Sequence, residues 1–264
     1  MRTTLKIISS AFLGASLLAI PTKSVPNAFA NPPSIDKPKH ELVPDFCQRD
    51  TRYGKLPWDG KVQCGPAAIS NLLIYLNNTD FPRLLSKENP GPHDQVELIN
   101  LLSSDKYMKL DKVNGVSPYN LMSGLKQYLK DKGYEADIQY MGYQVDDIDK
   151  NQNLSGGEYI TPIMIKDKLD QGFEGIIRVG YYNKNNIRID GHYAAVVGFK
   201  GENERKVLVH DSSGGSGLAK KTEVWNLRRE KNRNGYWEVM GVANAGRGEK
   251  VYLDGAIVFK PLKK

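Results

Sequence analysis

The sequence predicts an α+β fold in which a mainly helical first half packs against a second half of mainly antiparallel strands. Before residue 175, apolar residues recur at the i, i+3, i+4, i+7 spacing of helices with one buried face. From residue 175 onward, short apolar and β-branched runs alternate with turn residues, as in strands. The length of 264 residues is enough for one sizeable core. A cleft between the two halves is the expected place for a functional site.

Residues 1–30 have the pattern of a cleavable secretory signal peptide. Arg2 and Lys6 give a positive start, residues 7–20 are mainly apolar, and Ala28-Phe29-Ala30 matches a cleavage site. The apolar stretch is short for a transmembrane helix. We therefore predict cleavage after Ala30, a secreted or periplasmic location, and no membrane span in the mature chain.

The mature chain is predicted to begin with a proline-rich extended arm, residues 31–45, followed by one domain, residues 46–264. The net charge of +7 falls to about +4 without the signal peptide, which carries basic but no acidic residues. The remaining basic residues are dispersed and are not interleaved with aromatic residues. We therefore expect no nucleic-acid partner, while the oligomeric state stays open.

A regular apolar stripe follows Cys64 and predicts a buried helix that begins at this cysteine. The stripe consists of Ile69, Leu72, Leu73 and Leu76. Pro66 suits a first helical turn, where its missing N–H is not needed, and Asn77-Asn78 supplies a stop.

Three further helices are predicted from start signals. Asp94 and Glu97 resemble a capping box that opens a helix through about residue 102. Ser117-Pro118 opens the next, which ends at Gly133, and Thr161-Pro162 opens another, which ends at Gly172.

Five strands are predicted in the second half of the chain: residues 175–182, 192–199, 206–211, 236–241 and 251–259. The second and third form a hairpin if Gly201-Glu202 is a two-residue turn. That register places His192 opposite Asp211, with both side chains on one face of the sheet. A bulge or a longer turn would shift the register by one or two residues.

Cys64, His192 and Asp211 form a candidate nucleophile, base and orienting group. At a helix N-terminus, unpaired N–H groups and the helix dipole favour a negatively charged sulfur, which is the nucleophilic form. The His192 imidazole would take the thiol proton, and the Asp211 carboxylate would hold the ring and stabilise its charged form. A metal site of His192, His210 and Asp211 would need ligands on opposite strand faces, so we predict neither a metal nor a cofactor.

The two cysteines of the chain, Cys47 and Cys64, leave an alternative open. In an oxidising compartment they could form a structural disulfide, and the protein would then be a non-catalytic binding module. A second alternative is an acyltransferase on the same scaffold, which passes the acyl group to an amine or thiol instead of water.

Three motifs, taken in order, resemble the signatures of papain-like cysteine peptidases. They are Gln63-Cys64-Gly65-Pro66-Ala67-Ala68, Gly191-His192-Tyr193, and Val207-Leu208-Val209-His210-Asp211. The chain is similar in particular to bacteriocin-processing (double-glycine leader) peptidases and their secreted relatives. This resemblance implies a papain-like fold, a peptide or protein substrate, a thioester acyl-enzyme, and a triad of Cys64, His192 and Asp211.

The family also uses a glutamine upstream of the cysteine as an oxyanion donor. The position where it is usual holds Trp58 in this chain. Gln48, further upstream, and Gln63, adjacent to the cysteine, are therefore the candidates, with the Cys64 main-chain N–H as the second donor.

Overall fold

The computed structural model describes residues 38–142, 155–156, 160–201, 204–213, 222–231, 235–242, 248 and 250–263. All of them belong to one compact unit, residues 35–264. The predicted signal peptide and the first part of the predicted arm lie outside the described residues. The predicted α+β class is confirmed, since several helices accompany a mostly antiparallel sheet.

The described residues form five α-helices: α1 (Lys39–Leu42), α2 (Cys64–Asn78), α3 (Pro92–Ser103), α4 (Pro118–Asp131) and α5 (Pro162–Asp170). Short 3-10 turns cover Thr51–Tyr53 and Pro57–Gly60. The predicted start of α2 at Cys64 is confirmed. The side chains of Ser117 and Thr161 cap α4 and α5 as predicted, because each accepts a hydrogen bond from a main-chain N–H three residues later.

Two predictions about the first half of the chain were wrong in detail. The arm is not wholly extended, since Lys39–Leu42 forms one helical turn. Helix α3 begins at Pro92 and not at Asp94, which is the third helical residue. The Asp94 carboxylate reaches back to accept the Gly91 N–H at 2.9 Å. The proline could start the helix because its missing N–H needs no partner there.

The strands are β1 (Glu135–Gly142), β2 (Ser155–Gly156), β3 (Glu174–Tyr182), β4 (Arg188–Lys200), β5 (Lys206–His210), β6 (Glu223–Arg229), β7 (Trp237–Met240) and β8 (Lys250–Leu262). All five predicted strands are present with shifted ends, whereas β1, β2 and β6 were not predicted. The sheet order is β2-β1-β8-β3-β4-β5-β6-β7. All pairings between the described strands are antiparallel except β1 with β2.

Strand β8 closes six of these strands into a ring. One end of β8 pairs with β1, from Gly255 to Leu262. Beyond the end of β1, Tyr252 of β8 pairs with Glu238 of β7. The strands β8, β3, β4, β5, β6 and β7 therefore form a barrel, and β1 and β2 extend from it.

The barrel separates two hydrophobic cores because successive side chains of a strand face opposite sides. On β4, Ala194 and Val196 face the barrel interior, whereas Ala195 and Val197 face the helices. Helix α2 packs against this outer face, and its Leu72 has no exposed surface. The helical half therefore rests on the wall of the barrel.

The predicted register of the β4–β5 hairpin was wrong. The structure pairs Ala195 with His210 and Val196 with Val209, so Asp211 lies just beyond the ladder. The connection from β4 to β5 is longer than a two-residue turn, and the ladder shifts register at Val197, between Val196 and Gly198. The irregularity changes the pairing by one residue, and this one-residue change leaves the side chains of His192 and Asp211 on the same face of the sheet.

Candidate active site

Cys64 is the first residue of helix α2, which packs against strand β4 of the barrel. The thiol is half-buried. Gly65, the next residue, allows two side chains of the helical half to pack closely against α2. A Cβ added at Gly65 would lie 2.5 Å from Val116 Cγ1 and 2.7 Å from Leu121 Cδ1. The cysteine is therefore fixed by a helix that is buried from its first turn onward.

His192 and Asp211 lie together at one end of the barrel. His192 Nε2 is 2.5 Å from Asp211 Oδ1, and the two residues are 6% and 0% exposed. The same Oδ1 atom accepts the main-chain N–H of Ser213 at 2.9 Å. Because Nε2 is occupied by the carboxylate, Nδ1 is the ring nitrogen left for the thiol.

The Cys64 thiol lies close to the His192 ring, since its hydrogen bonding and charge are among the effects that raise the pKa of His192. The structure therefore brings together the three predicted residues, one from the helical half and two from the barrel. Their catalytic roles stay a prediction, but a thiol, an imidazole and a carboxylate in series can transfer a proton from sulfur to nitrogen.

The electrostatics of the pair favour a charged histidine. Burial by itself lowers the pKa of His192, but the Asp211 carboxylate and the Cys64 thiol outweigh it, and the pKa lies well above the ordinary value. Burial raises the pKa of Asp211, yet the charge and hydrogen bond of His192 outweigh it and hold that pKa below its ordinary value. An imidazolium–carboxylate pair is the state that both directions favour.

Both candidate oxyanion glutamines are buried and already make hydrogen bonds. Gln48 Nε2 donates to the Gly60 carbonyl at 2.6 Å, and its Oε1 accepts from Ser212 Oγ at 2.8 Å. Gln63 Nε2 donates to the Pro57 carbonyl at 2.8 Å. Each amide has a second N–H, so an oxyanion role for Gln48 or Gln63 stays a prediction. In this structure Gln48 connects the loop before α2 to the loop after Asp211.

No disulfide joins Cys47 to Cys64, both of which the structure describes. Cys47 is buried, at 2% exposure. His210, predicted to face away from His192, is bonded through Nδ1 to the Pro44 carbonyl and through Nε2 to Thr222 Oγ1, each at 3.0 Å. It therefore anchors the arm and does not join the triad.

Glu223 is the residue of this site that the sequence analysis missed. It alternates with Trp225 and Leu227 on the buried face of β6 and pairs with Val209, two residues before Asp211. A hydrogen bond from the Asp211 main chain is one of the effects that lower the pKa of its carboxyl group. The sequence does contain a signal for it, because Glu223 begins a stretch in which every second residue, Trp225 and Leu227, is apolar, as in a strand with one buried face.

Within the described ranges, no group of three or more His, Cys, Asp or Glu side chains is placed to hold a metal ion. None of the helices formed by those residues is long and apolar enough to cross a membrane.

Comparison with known proteins adds no assignment. No protein-family model matches the chain, and no curated protein sequence is significantly similar to it.

Proposed function

We propose that this protein is a papain-like cysteine peptidase that hydrolyses peptide bonds through a thioester acyl-enzyme. The observation that carries the proposal is the buried His192–Asp211 pair, in which Nε2 lies 2.5 Å from Asp211 Oδ1, with the Cys64 thiol close enough to raise the pKa of His192. The order of groups matches that required of an activated nucleophile, a base and an orienting carboxylate.

In the first half of the reaction, His192 holds the thiol proton and the Cys64 thiolate attacks the carbonyl carbon of the scissile bond. The new C–S bond gives a tetrahedral oxyanion. The Cys64 main-chain N–H is at a helix N-terminus, where N–H groups have no intrahelical acceptor, so it can donate to that oxyanion. As the C–N bond breaks, the imidazolium gives its proton to the leaving amine and a thioester remains.

In the second half, water attacks the thioester. Neutral His192 takes a proton from the water, the C–S bond breaks, and the acid product leaves. Asp211 stays ionised throughout and stabilises the imidazolium each time it forms. The cycle ends with the thiolate–imidazolium pair restored, so no metal or redox partner is needed to balance it.

The proposal includes export. The sequence pattern of residues 1–30 supports a secreted or periplasmic enzyme, whose substrates would be peptides or proteins outside the cytoplasm. In that compartment Cys47 and Cys64 differ in access, since Cys47 is 2% exposed and Cys64 is half-buried. This difference supports Cys64 as the thiol that meets substrate.

Mass spectrometry after treatment with an epoxide-type cysteine-protease inhibitor tests the proposal. We expect one adduct on Cys64 that is absent in Cys64→Ala and in His192→Ala, and retained in Cys47→Ala, the matched cysteine control. Labelling only after mild reduction would indicate a reversible Cys47–Cys64 disulfide. Absence of an adduct with and without reductant, in a folded protein, would refute the peptidase and support a binding module.

Product analysis separates hydrolysis from acyl transfer. Peptide cleavage in the presence of a small primary amine should give the free acid as the main product, and Cys64→Ala should give none. A product that is mainly the amide would assign an acyltransferase to the same residues.

A further inference from the structure

Glu223 stands on the barrel-interior face of β6, next to the proposed catalytic pair. It pairs with Val209 of β5 across the ladder. Val209 and the next two residues on that face of β6, Trp225 and Leu227, are all buried in the barrel core. Glu223 is therefore the residue at which the apolar interior gives way to the polar end of the barrel that holds His192 and Asp211.

The carboxyl group of Glu223 lies beside the main chain of Asp211. Glu223 pairs with Val209 across the ladder, and Asp211 follows Val209 by two residues, on the same face. A hydrogen bond from the Asp211 main chain is among the effects on the pKa of Glu223, so this carboxyl group is placed to hold the residue beside His192. The other oxygen, Oε2, is buried and makes no hydrogen bond with any part of the chain that the structure describes. Asp211 Oδ2 is also buried and makes no hydrogen bond with any of the described residues.

The charged and titratable groups around Glu223 come from three other elements. Asp211 follows β5, Asp45 belongs to the arm and His192 to β4. His210 of β5 is bonded to Thr222, the residue before Glu223. Burial first, and then the negative charges of Asp211 and Asp45, raise the pKa of Glu223 to about 8, against a smaller opposing effect of His192. Glu223 is therefore mainly a neutral acid at pH 7.

We propose that Glu223 is a positioning residue of the site, which holds Asp211 through its main chain and whose ionisation sets the pH at which the His192 imidazolium loses its proton. This inference rests on the proposed function for its catalytic meaning. The positioning part and the charge part depend on different properties of the carboxyl group, so two variants separate them.

The sign of the charge effect follows from the geometry. Above about pH 8 the ionised Glu223 adds a second negative charge beside the imidazolium, which stabilises the charged ring and raises the pH at which it deprotonates. Glu223→Gln is neutral at every pH and keeps an oxygen that accepts the Asp211 N–H. Glu223→Ala removes both the charge and the acceptor.

Nuclear magnetic resonance of the histidine rings tests the charge part in the mature protein. The chain has four histidines, and the His192 signal is identified by its loss in His192→Ala. We expect the titration midpoint of His192 to be lower in Glu223→Gln than in wild type by about half to one pH unit, since the carboxyl group is partly exposed and its field is screened. Glu238→Gln is the matched control, because Glu238 pairs with exposed Arg228, and it should leave the midpoint unchanged.

Alkylation of Cys64 by iodoacetamide at about pH 6.5 tests the positioning part, because Glu223 is neutral there. Glu223→Ala should lower the second-order rate about tenfold, and Glu223→Gln should lower it by less, because its amide oxygen still accepts the Asp211 N–H. If Glu223→Ala does not fold, the titration of Glu223→Gln still decides the charge part.

An unchanged His192 midpoint in Glu223→Gln would overturn the charge part, and equal alkylation rates for both variants would overturn the positioning part. These failures differ from failure of the proposed function. A shifted His192 midpoint in a protein that neither labels nor hydrolyses would keep the coupling and reject the peptidase. Labelling of Cys64 and hydrolysis, together with an unchanged His192 midpoint in Glu223→Gln, would keep the peptidase and reject the coupling.

Discussion

Asp211→Asn is the substitution that measures the charge of Asp211 without moving it. One oxygen, Oδ1, takes both the His192 ring at 2.5 Å and the Ser213 N–H at 2.9 Å. The asparagine oxygen can occupy the same position and keep both hydrogen bonds. The new NH2 group then replaces Oδ2, which makes no hydrogen bond within the described ranges. Asparagine therefore removes the charge and preserves the geometry.

The expected effect is large because the pair is buried. The His192 and Asp211 side chains are 7% and 0% exposed, so solvent screens the charges little. A unit charge about 4 Å from the imidazolium, at an effective dielectric constant of about 20, contributes about 4 kcal/mol. That is a fall of about three units in the pKa of His192.

The assay is the second-order rate of Cys64 alkylation by iodoacetamide, from about pH 5 to about pH 10, with His192 followed by nuclear magnetic resonance. We expect Asp211→Asn to lower the rate near neutral pH about 100-fold, because the thiolate–imidazolium form loses its stabilising charge. Asp211→Ala, which also loses both hydrogen bonds, should be lower again, but above His192→Ala.

The electrostatic reasoning fails if Asp211→Asn reacts within about threefold of wild type over the whole pH range. It also fails if the His192 midpoint is unchanged while Asp211→Ala is slow. In that case Asp211 would act through orientation alone.

Two further predictions concern stability and are checked by urea unfolding. Gly65→Ala should lower the free energy of unfolding by about 1–3 kcal/mol, because the added methyl group enters a space already occupied by neighbouring side chains. The control is Gly91→Ala, whose methyl group would lie 3.9 Å from Asp94 Oδ2, and it should lower the free energy of unfolding by less. Equal losses for the two variants would contradict the packing argument. Lys39→Met should cost about 1–3 kcal/mol at pH 7, because it leaves the Glu174 carboxylate, 2.6 Å away and 7% exposed, without its cation. Burial raises the pKa of Glu174, and Lys39 partly opposes this effect. The loss of stability in Lys39→Met should therefore shrink as the pH falls through that pKa, because the carboxyl group becomes neutral. A loss that does not depend on pH would refute the ion-pair explanation.

Local signals in the sequence were enough to predict α2, α4 and α5 and to select Cys64, His192 and Asp211, which the structure brings together. The stripe after Cys64 and the caps at Ser117 and Thr161 depend only on residues within one or two turns. Strand β1 was missed because its residues, Glu135–Gly142, become a strand through pairing with β8, which lies far along the chain. Pairing of that kind leaves little local trace.

The finer geometry of the site could not be predicted for the same reason. The register of β4 with β5 depends on the length of their connection and on the irregularity at Val197, which have no fixed sequence signal. The role of Glu223 depends on the pairing of β5 with β6, which places it beside Asp211. The sequence indicates Gln48 only as a candidate oxyanion donor, whereas its contacts with Gly60 and Ser212 depend on how two distant loops meet.

The position of β8 also has a consequence for the order in which the chain folds. β8 is the strand that both completes the barrel and receives β1, and it follows Cys64, His192 and Asp211 in the sequence. During synthesis the α2 helix can form early, but the wall that holds His192 beside it lacks its closing strand until β8 has been made. Contacts between residues so far apart in sequence form late and slowly. If Cys64 and His192 act as proposed, the thiol has its base in place only after β8 has joined the sheet.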